Sequence, residues 1–149
     1  MLDQHLIAKC FPVAEKANIV RFGDYRVTVL ADRLFRIEKD EKGQFTDEAT
    51  QSIWFRNMPK QKFSVRREGM LLKIKTEKVT LVLAENIEDS YVLFGRRRVK
   101  LNNDGNLMGT YRTLDGCNGS HYNHKGVEYD IHLETGVVSR RGVAVVDDT

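Results

Sequence analysis

Apolar and polar residues take turns along most of this chain. Val27 and Val29 are set between Arg26 and Thr28, and Phe35 and Ile37 alternate with Arg36 and Glu38. Phe63 and Val65 alternate with Ser64 and Arg66, while Met70, Leu72 and Ile74 alternate with Leu71, Lys73 and Lys75. Val79, Leu81 and Leu83 do the same with Thr80, Val82 and Ala84. A period of two places alternate side chains on opposite faces of a sheet. Apolar residues on one face, with Lys, Arg and Thr on the other, describe half-buried antiparallel strands. No segment holds a helical period over about ten residues, and strands recurring every ~8–12 residues indicate a sandwich or barrel. The fold class predicted is all-β, an antiparallel β-sandwich.

Turn residues fall between these runs. Asp40-Glu41-Lys42-Gly43 and Arg67-Glu68-Gly69 are each predicted to close a hairpin, and Thr76-Glu77-Lys78 a tight reversal. Asn103-Asp104-Gly105 is the strongest such signal, because Asn and Asp tolerate positive φ and Gly favours it. From Gly116 to Gly136 the alternation fails, and a long polar loop with one short strand, Val127 to Leu133, is expected.

At 149 residues the chain has the size of one domain, with 41% apolar and 30% charged residues. No apolar run approaches the ~20 residues of a membrane helix, so no membrane partner is expected. Met1 to Val13 carries an early acid and is a poor secretory signal. Cys10 and Cys117 lie far apart with no CxxC spacing and read as free thiols in a reducing cytoplasm. Net charge is +3, with both signs interspersed. Arg96-Arg97-Arg98-Val99-Lys100 is the main basic run and reads as the solvent face of a hairpin, so no nucleic-acid partner is expected.

Near the end of the chain, Val143, Val145 and Val146 are read as a short packed strand that delivers Asp147 and Asp148. Carboxylates presented by a rigid element suit the hydroxyls of a sugar, each oxygen accepting charge-assisted hydrogen bonds. An acidic turn after a strand is the plainer reading. Adjacent strand residues diverge, so the two acids do not face each other across a sugar ring as hydrolytic carboxyls must, ~5 to 9.5 Å apart. Arg112 and Asp115 read as a clamp across an irregular loop, with direct sugar contact the alternative. His121, His124 and His132 sit in an unpatterned stretch without a Cys cluster or an HExxH helix, so neither metal nor cofactor is expected. Trp54, Phe55 and Tyr111 are possible stacking platforms, although Trp54 reads better as core.

Two long stretches, NLMGTYRTLDG from Asn106 to Gly116 and SRRGVAVVDDT from Ser139 to Thr149, carry a resemblance. They are supported by YRVTVLADRLFRIE from Tyr25 to Glu38, by Gln44-Phe45-Thr46-Asp47 and by TQSIWFRN from Thr50 to Asn57. In this order they resemble the N-terminal β-domain of glycoside hydrolase family 31, the α-glucosidase and α-xylosidase family. The resemblance runs from about Ile19 to Thr149, with Val143 standing where an aromatic is common. It implies a galactose-mutarotase-like sandwich over residues 1–149, incomplete at its C-terminus, whose catalytic barrel is absent. It implies a carbohydrate partner shared with that barrel and no catalytic residue in this chain, because no WxDMNE-like motif occurs. By motif position it makes Asp148 the acid that contacts the sugar beyond the scissile bond, with Asp147 the alternate. A missing part of the sandwich would expose sheet edges, so association between copies is expected. The alternative, from the chain taken alone, is a carbohydrate-binding or protein-interaction module.

Overall fold

The computed structural model describes residues 9–50, 52–102, 106–108, 117–118, 121–124, 127–130, 135–146 and 148. The described residues fall in two compact units, one running to Lys100 and taking in Asp148, the other between Leu101 and Val146. Among them there is no α-helix, only two short 3-10 turns, and no helix is long and apolar enough to cross a membrane. The protein is all-β, as the alternation requires.

The first unit holds two antiparallel sheets. The smaller joins β1 (Ile19–Phe22), β2 (Tyr25–Ala31) and β3 (Leu34–Lys39) in that order. The larger joins β4 (Ser64–Glu68), β5 (Leu71–Lys75), β6 (Thr80–Ala84), β7 (Tyr91–Phe94) and β8 (Arg97–Lys100) as a meander. Tyr25, Val27 and Val29 of β2 are buried, as are Leu72 and Ile74 of β5, Leu81 and Leu83 of β6, Val92 and Val99. Each such side chain contributes about 1.5–3 kcal/mol by leaving water. Polar ties run between the sheets: the Tyr25 hydroxyl donates to the Glu85 carbonyl at 2.9 Å, and the Thr76 hydroxyl to the Asp32 carbonyl at 2.7 Å. The arrangement is that of a β-sandwich.

Two hairpins of the larger sheet show how sequence sets register. Glu68 pairs with Leu71 around Gly69-Met70, and Phe94 pairs with Arg97 around Gly95-Arg96. Gly69 and Gly95 have φ of +57° and +59°, the positive values a two-residue hairpin requires. The reversal at Thr76 also forms, with Lys75 paired to Thr80. Asp40 to Gly43 makes a turn, its carboxylate accepting from the Lys42 and Gln44 amides, but the turn does not close a hairpin. It opens the long crossover to β4, because the next strand lies in the other sheet.

That crossover changes the environment of β2. All six residues from Tyr25 to Leu30 are buried, where alternation predicts burial on one face only. The face bearing Arg26 and Thr28 is covered by residues of the crossover, to which Arg26 is hydrogen-bonded.

The second unit contains β9 (Asn106–Met108), β10 (Cys117–Asn118), β11 (His121–His124), β12 (Val127–Asp130) and β13 (Thr135–Ser139). β9 pairs with β13, and β10, β11 and β12 form a small antiparallel sheet. Among its described residues, the stretch expected to be a loop with one short strand holds β10, β11, β12 and the start of β13, and the alternation of apolar residues fails because the first three are largely polar. The apolar strand expected at Val143 to Val146 is not formed, and Val146 is half exposed. The strand at this end of the chain is β13, which stops at Ser139. Asn103-Asp104-Gly105 lies outside the described residues.

Candidate functional site

The outer face of the small sheet carries the most concentrated chemistry among the described residues. Register creates it: Arg26 on β2 lies opposite Glu38 on β3, and Thr28 lies opposite Arg36. Arg26 grips Glu38 with both limbs of its guanidinium, Nε to Oε2 at 2.6 Å and Nη2 to Oε1 at 2.7 Å. Its remaining nitrogen reaches Asp47 Oδ1 at 2.7 Å, and Nη2 also donates to the Thr46 carbonyl at 2.8 Å. The Phe45 ring lies under both Arg26 and Arg21, at 5.0 and 4.1 Å from its centroid. Planar, bidentate donation of this kind is what a guanidinium does and an ammonium cannot.

Arg36 continues the network in two directions. Its Nη1 contacts Glu38, and its Nε donates to Asp148 Oδ2 at 3.1 Å. The other oxygen of Asp148 accepts from the Thr50 hydroxyl at 2.6 Å. Thr50 is itself held in a turn, its amide donating to the Ile53 carbonyl and its Oγ1 accepting from the Ile53 amide. Both Asp148 oxygens are thereby occupied, and its side chain is only 15% exposed. Beside them lies Arg56, 1% exposed, with Nη2 donating to the Glu48 carbonyl at 2.7 Å. Its Nε and Nη1 have no hydrogen-bond partner among the described residues.

These contacts control protonation. Burial pushes the Glu38 carboxyl up, but hydrogen bonds from Arg26 and Arg36 outweigh it and hold the group below its ordinary range. Burial likewise raises Asp148, and the bonds from Thr50 and Arg36 more than offset it, so this carboxyl too is held low. Desolvation lowers the Arg56 guanidinium and the like charge of Arg36 adds to the effect. Acid–base catalysis by paired carboxyls needs environments that drive them apart, one kept protonated and one ionised. Glu38 and Asp148 are driven the same way, so neither is a proton donor near neutrality. The cluster is built to fasten chain segments together.

Of the acids and bases singled out by sequence, the structure brings Asp148 to this cluster. Asp147, Arg112 and Asp115 lie outside the described residues. Sequence reasoning missed Arg26, Arg36, Glu38 and Arg56 as a group. The available signal was two arginines, Arg26 and Arg36, at strand positions where alternation called for solvent, together with carboxylates spaced to meet them.

A second surface lies on the same unit. Phe11 and Phe55 form an isolated parallel bridge, with the Phe11 amide donating to the Trp54 carbonyl at 2.9 Å and the Arg56 amide to the Phe11 carbonyl at 2.7 Å. The Phe11 and Phe55 rings lie 6.0 Å apart. Trp54 is 45% exposed, against the expectation that it is core. The buried place in this stretch is taken by Arg56. Phe11, Val13 and Phe55 are also half exposed, which leaves an aromatic patch facing solvent.

Compared with known proteins, the chain matches no family model and no curated protein.

Proposed function

We propose that this chain is the non-catalytic N-terminal β-sandwich domain of a family 31 α-glycosidase, whose parent protein hydrolyses terminal α-linked sugars on a barrel encoded elsewhere in the same polypeptide. The supporting observation is one of convergence. Four of the family-like stretches are separate in sequence, yet Arg26, Arg36 and Glu38 from the first, the half-exposed Asp47 from the second, Thr50 from the third and Asp148 from the last are joined by hydrogen bonds and ion pairs, with the buried Arg56 of the third beside them. Segments that resemble one family in order and also meet in space behave as parts of one inherited unit. The all-β fold agrees with this reading, and a cytoplasmic setting, suggested by the exposed free thiol of Cys10, belongs to the same proposal.

In this reading the role of Asp148 is to fix the chain leading towards the barrel, so that residues around it shape the mouth of the cleft. Binding energy gathered there supports reaction at the scissile bond. The test is made in the parent enzyme. Asp148→Ala should lower kcat/KM on disaccharides more than on aryl glucosides, because only the former carry a sugar beyond the scissile bond. Equal losses on both would argue that the residue has no part in the cleft. Purified chain 1–149 should release no p-nitrophenol from an aryl α-glucoside, and release would overturn its non-catalytic assignment.

One observation favours a second reading, a carbohydrate-binding or interaction module: the half-exposed Phe11, Trp54 and Phe55 patch. Affinity electrophoresis in soluble α-glucan separates the two. Retardation of the isolated chain, abolished by Trp54→Ala, would favour the module.

A further inference from the structure

The outer face of the five-stranded sheet collects cations that the sequence scatters. Register places Lys75, Thr80, Leu93 and Arg98 in one row across β5 to β8, and Lys73, Val82, Tyr91 and Lys100 in the next. Ser64 and Arg66 extend the two rows on β4. Arg66, Lys73, Lys75 and Arg98 face one carboxylate, Glu68, which bonds Arg66 and Lys73. Leaving Lys100 aside, this face has a surplus of three positive charges, as large as that of the entire chain. Ser64, Arg66, Glu68, Lys73, Lys75 and Thr80 line a depression of about 310 Å³ on it.

The arrangement has two cationic margins and a different floor. With strands about 4.8 Å apart, Lys75 and Arg98 stand across three strand spacings, about 14 Å. Between them lie Thr80, Tyr91 and Leu93, each part-buried, with Val82 fully buried among its neighbours. The Arg98 guanidinium lies over the Tyr91 ring, 3.7 Å from its centroid. None of the large exposed apolar side chains lies on this face, which removes the means of entering a lipid surface. A solvated sheet face ordinarily mixes charges of both signs. Basic margins beside a planar aromatic–guanidinium stack suit a flexible polyanion with flat rings, in which phosphates meet the cations and a base stacks on the plane.

Against the expectation drawn from the Arg96 to Lys100 run alone, and independently of the glycosidase reading, we propose that the outer face of β4 to β8 binds single-stranded nucleic acid. The test is fluorescence anisotropy of the folded chain with a labelled mixed-sequence single-stranded oligonucleotide at several salt concentrations, with circular dichroism confirming that each variant folds. Log affinity should fall with log salt with a slope of about −2 to −3, for three to four phosphates neutralised on a single strand. Lys75→Glu with Arg98→Glu should weaken binding at least tenfold, whereas Lys16→Glu with Arg33→Glu, a matched charge change off this face, should weaken it far less. Arg98→Lys keeps the charge and removes the planar stack. It should weaken binding about fivefold or more with the salt slope unchanged. Three results would overturn the proposal: no binding at low salt, equal weakening by both charge reversals, or equally tight binding of an acidic peptide or sulfated polysaccharide in competition. An unchanged affinity in Arg98→Lys would likewise remove the stacking that distinguishes nucleic acid from any other polyanion.

Discussion

Arg26 is the residue on which the small sheet's outer face depends. It is 4% exposed and satisfies Glu38, Asp47 and a backbone carbonyl together. Removing one partner of a buried pair leaves a charge without compensation, so Arg26→Ala should cost about 3–5 kcal/mol in urea unfolding. A loss below about 1 kcal/mol would mean that Arg36 alone compensates Glu38. The two depressed carboxyls give a pH signature. A carboxyl whose folded pKa lies below its unfolded value contributes stability that is present above the unfolded value and lost as pH falls through the folded one. For Glu38 and Asp148 that window opens near pH 4 and extends downward. Urea midpoints should therefore fall steeply below about pH 4, and Glu38→Gln or Asp148→Asn should flatten that fall while lowering stability at pH 7. Parallel curves for wild type and variants would refute the assignment. Little of this was legible in sequence. Arg26 and Arg36 occupy polar positions of alternating strands, and alternation assigns such positions to water. Only the crossover from Asp40 to Phe63, which carries no periodic signal, turns that face inward.

The elements themselves were more readable. β2, β3, β5 and β6 lie where the period-two runs put them, and Gly69 lies in the turn its neighbours announced. Gly69 tests that correspondence cleanly, because a Cβ added there meets nothing within 4 Å. The cost of Gly69→Ala is then backbone strain alone, about 1 kcal/mol in thermal unfolding, and Gly69→Asn should cost less. Leu72 is a contrasting case. It is fully buried on β5, an interior strand of the larger sheet, and Leu72→Ala should cost about 2–5 kcal/mol through lost burial and the cavity left behind. If the two substitutions proved equally harmful, the sandwich interior would not lie between the sheets as described. What the sequence concealed at this scale has one cause. β10, β11 and β12 are short and polar, and Asp40 to Gly43 has hairpin composition without hairpin partners. Local chemistry specifies a turn, whereas the sheet that the following strand joins is decided by long-range pairing. The apolar run at Val143 to Val146 shows the converse, with strand-like composition and no strand.

For the whole molecule, the sandwich, the network that holds Asp148 and the ordered family-like stretches are what the proposal draws on, that of a domain that works together with a catalytic barrel. Of the two edge strands of the larger sheet, β4 and β8, the former reads Ser-Val-Arg-Arg-Glu and the latter Arg-Arg-Val-Lys, and such charge disfavours pairing between copies. The association predicted from a missing part of the sandwich would therefore have to use another edge, and sedimentation at high concentration would reveal it. The most direct test of the central claim is the messenger RNA sequence beyond the codon for Thr149. The account requires an open frame that continues into a barrel with a WxDMNE-like segment. A stop codon immediately after Thr149 in the native transcript would contradict it.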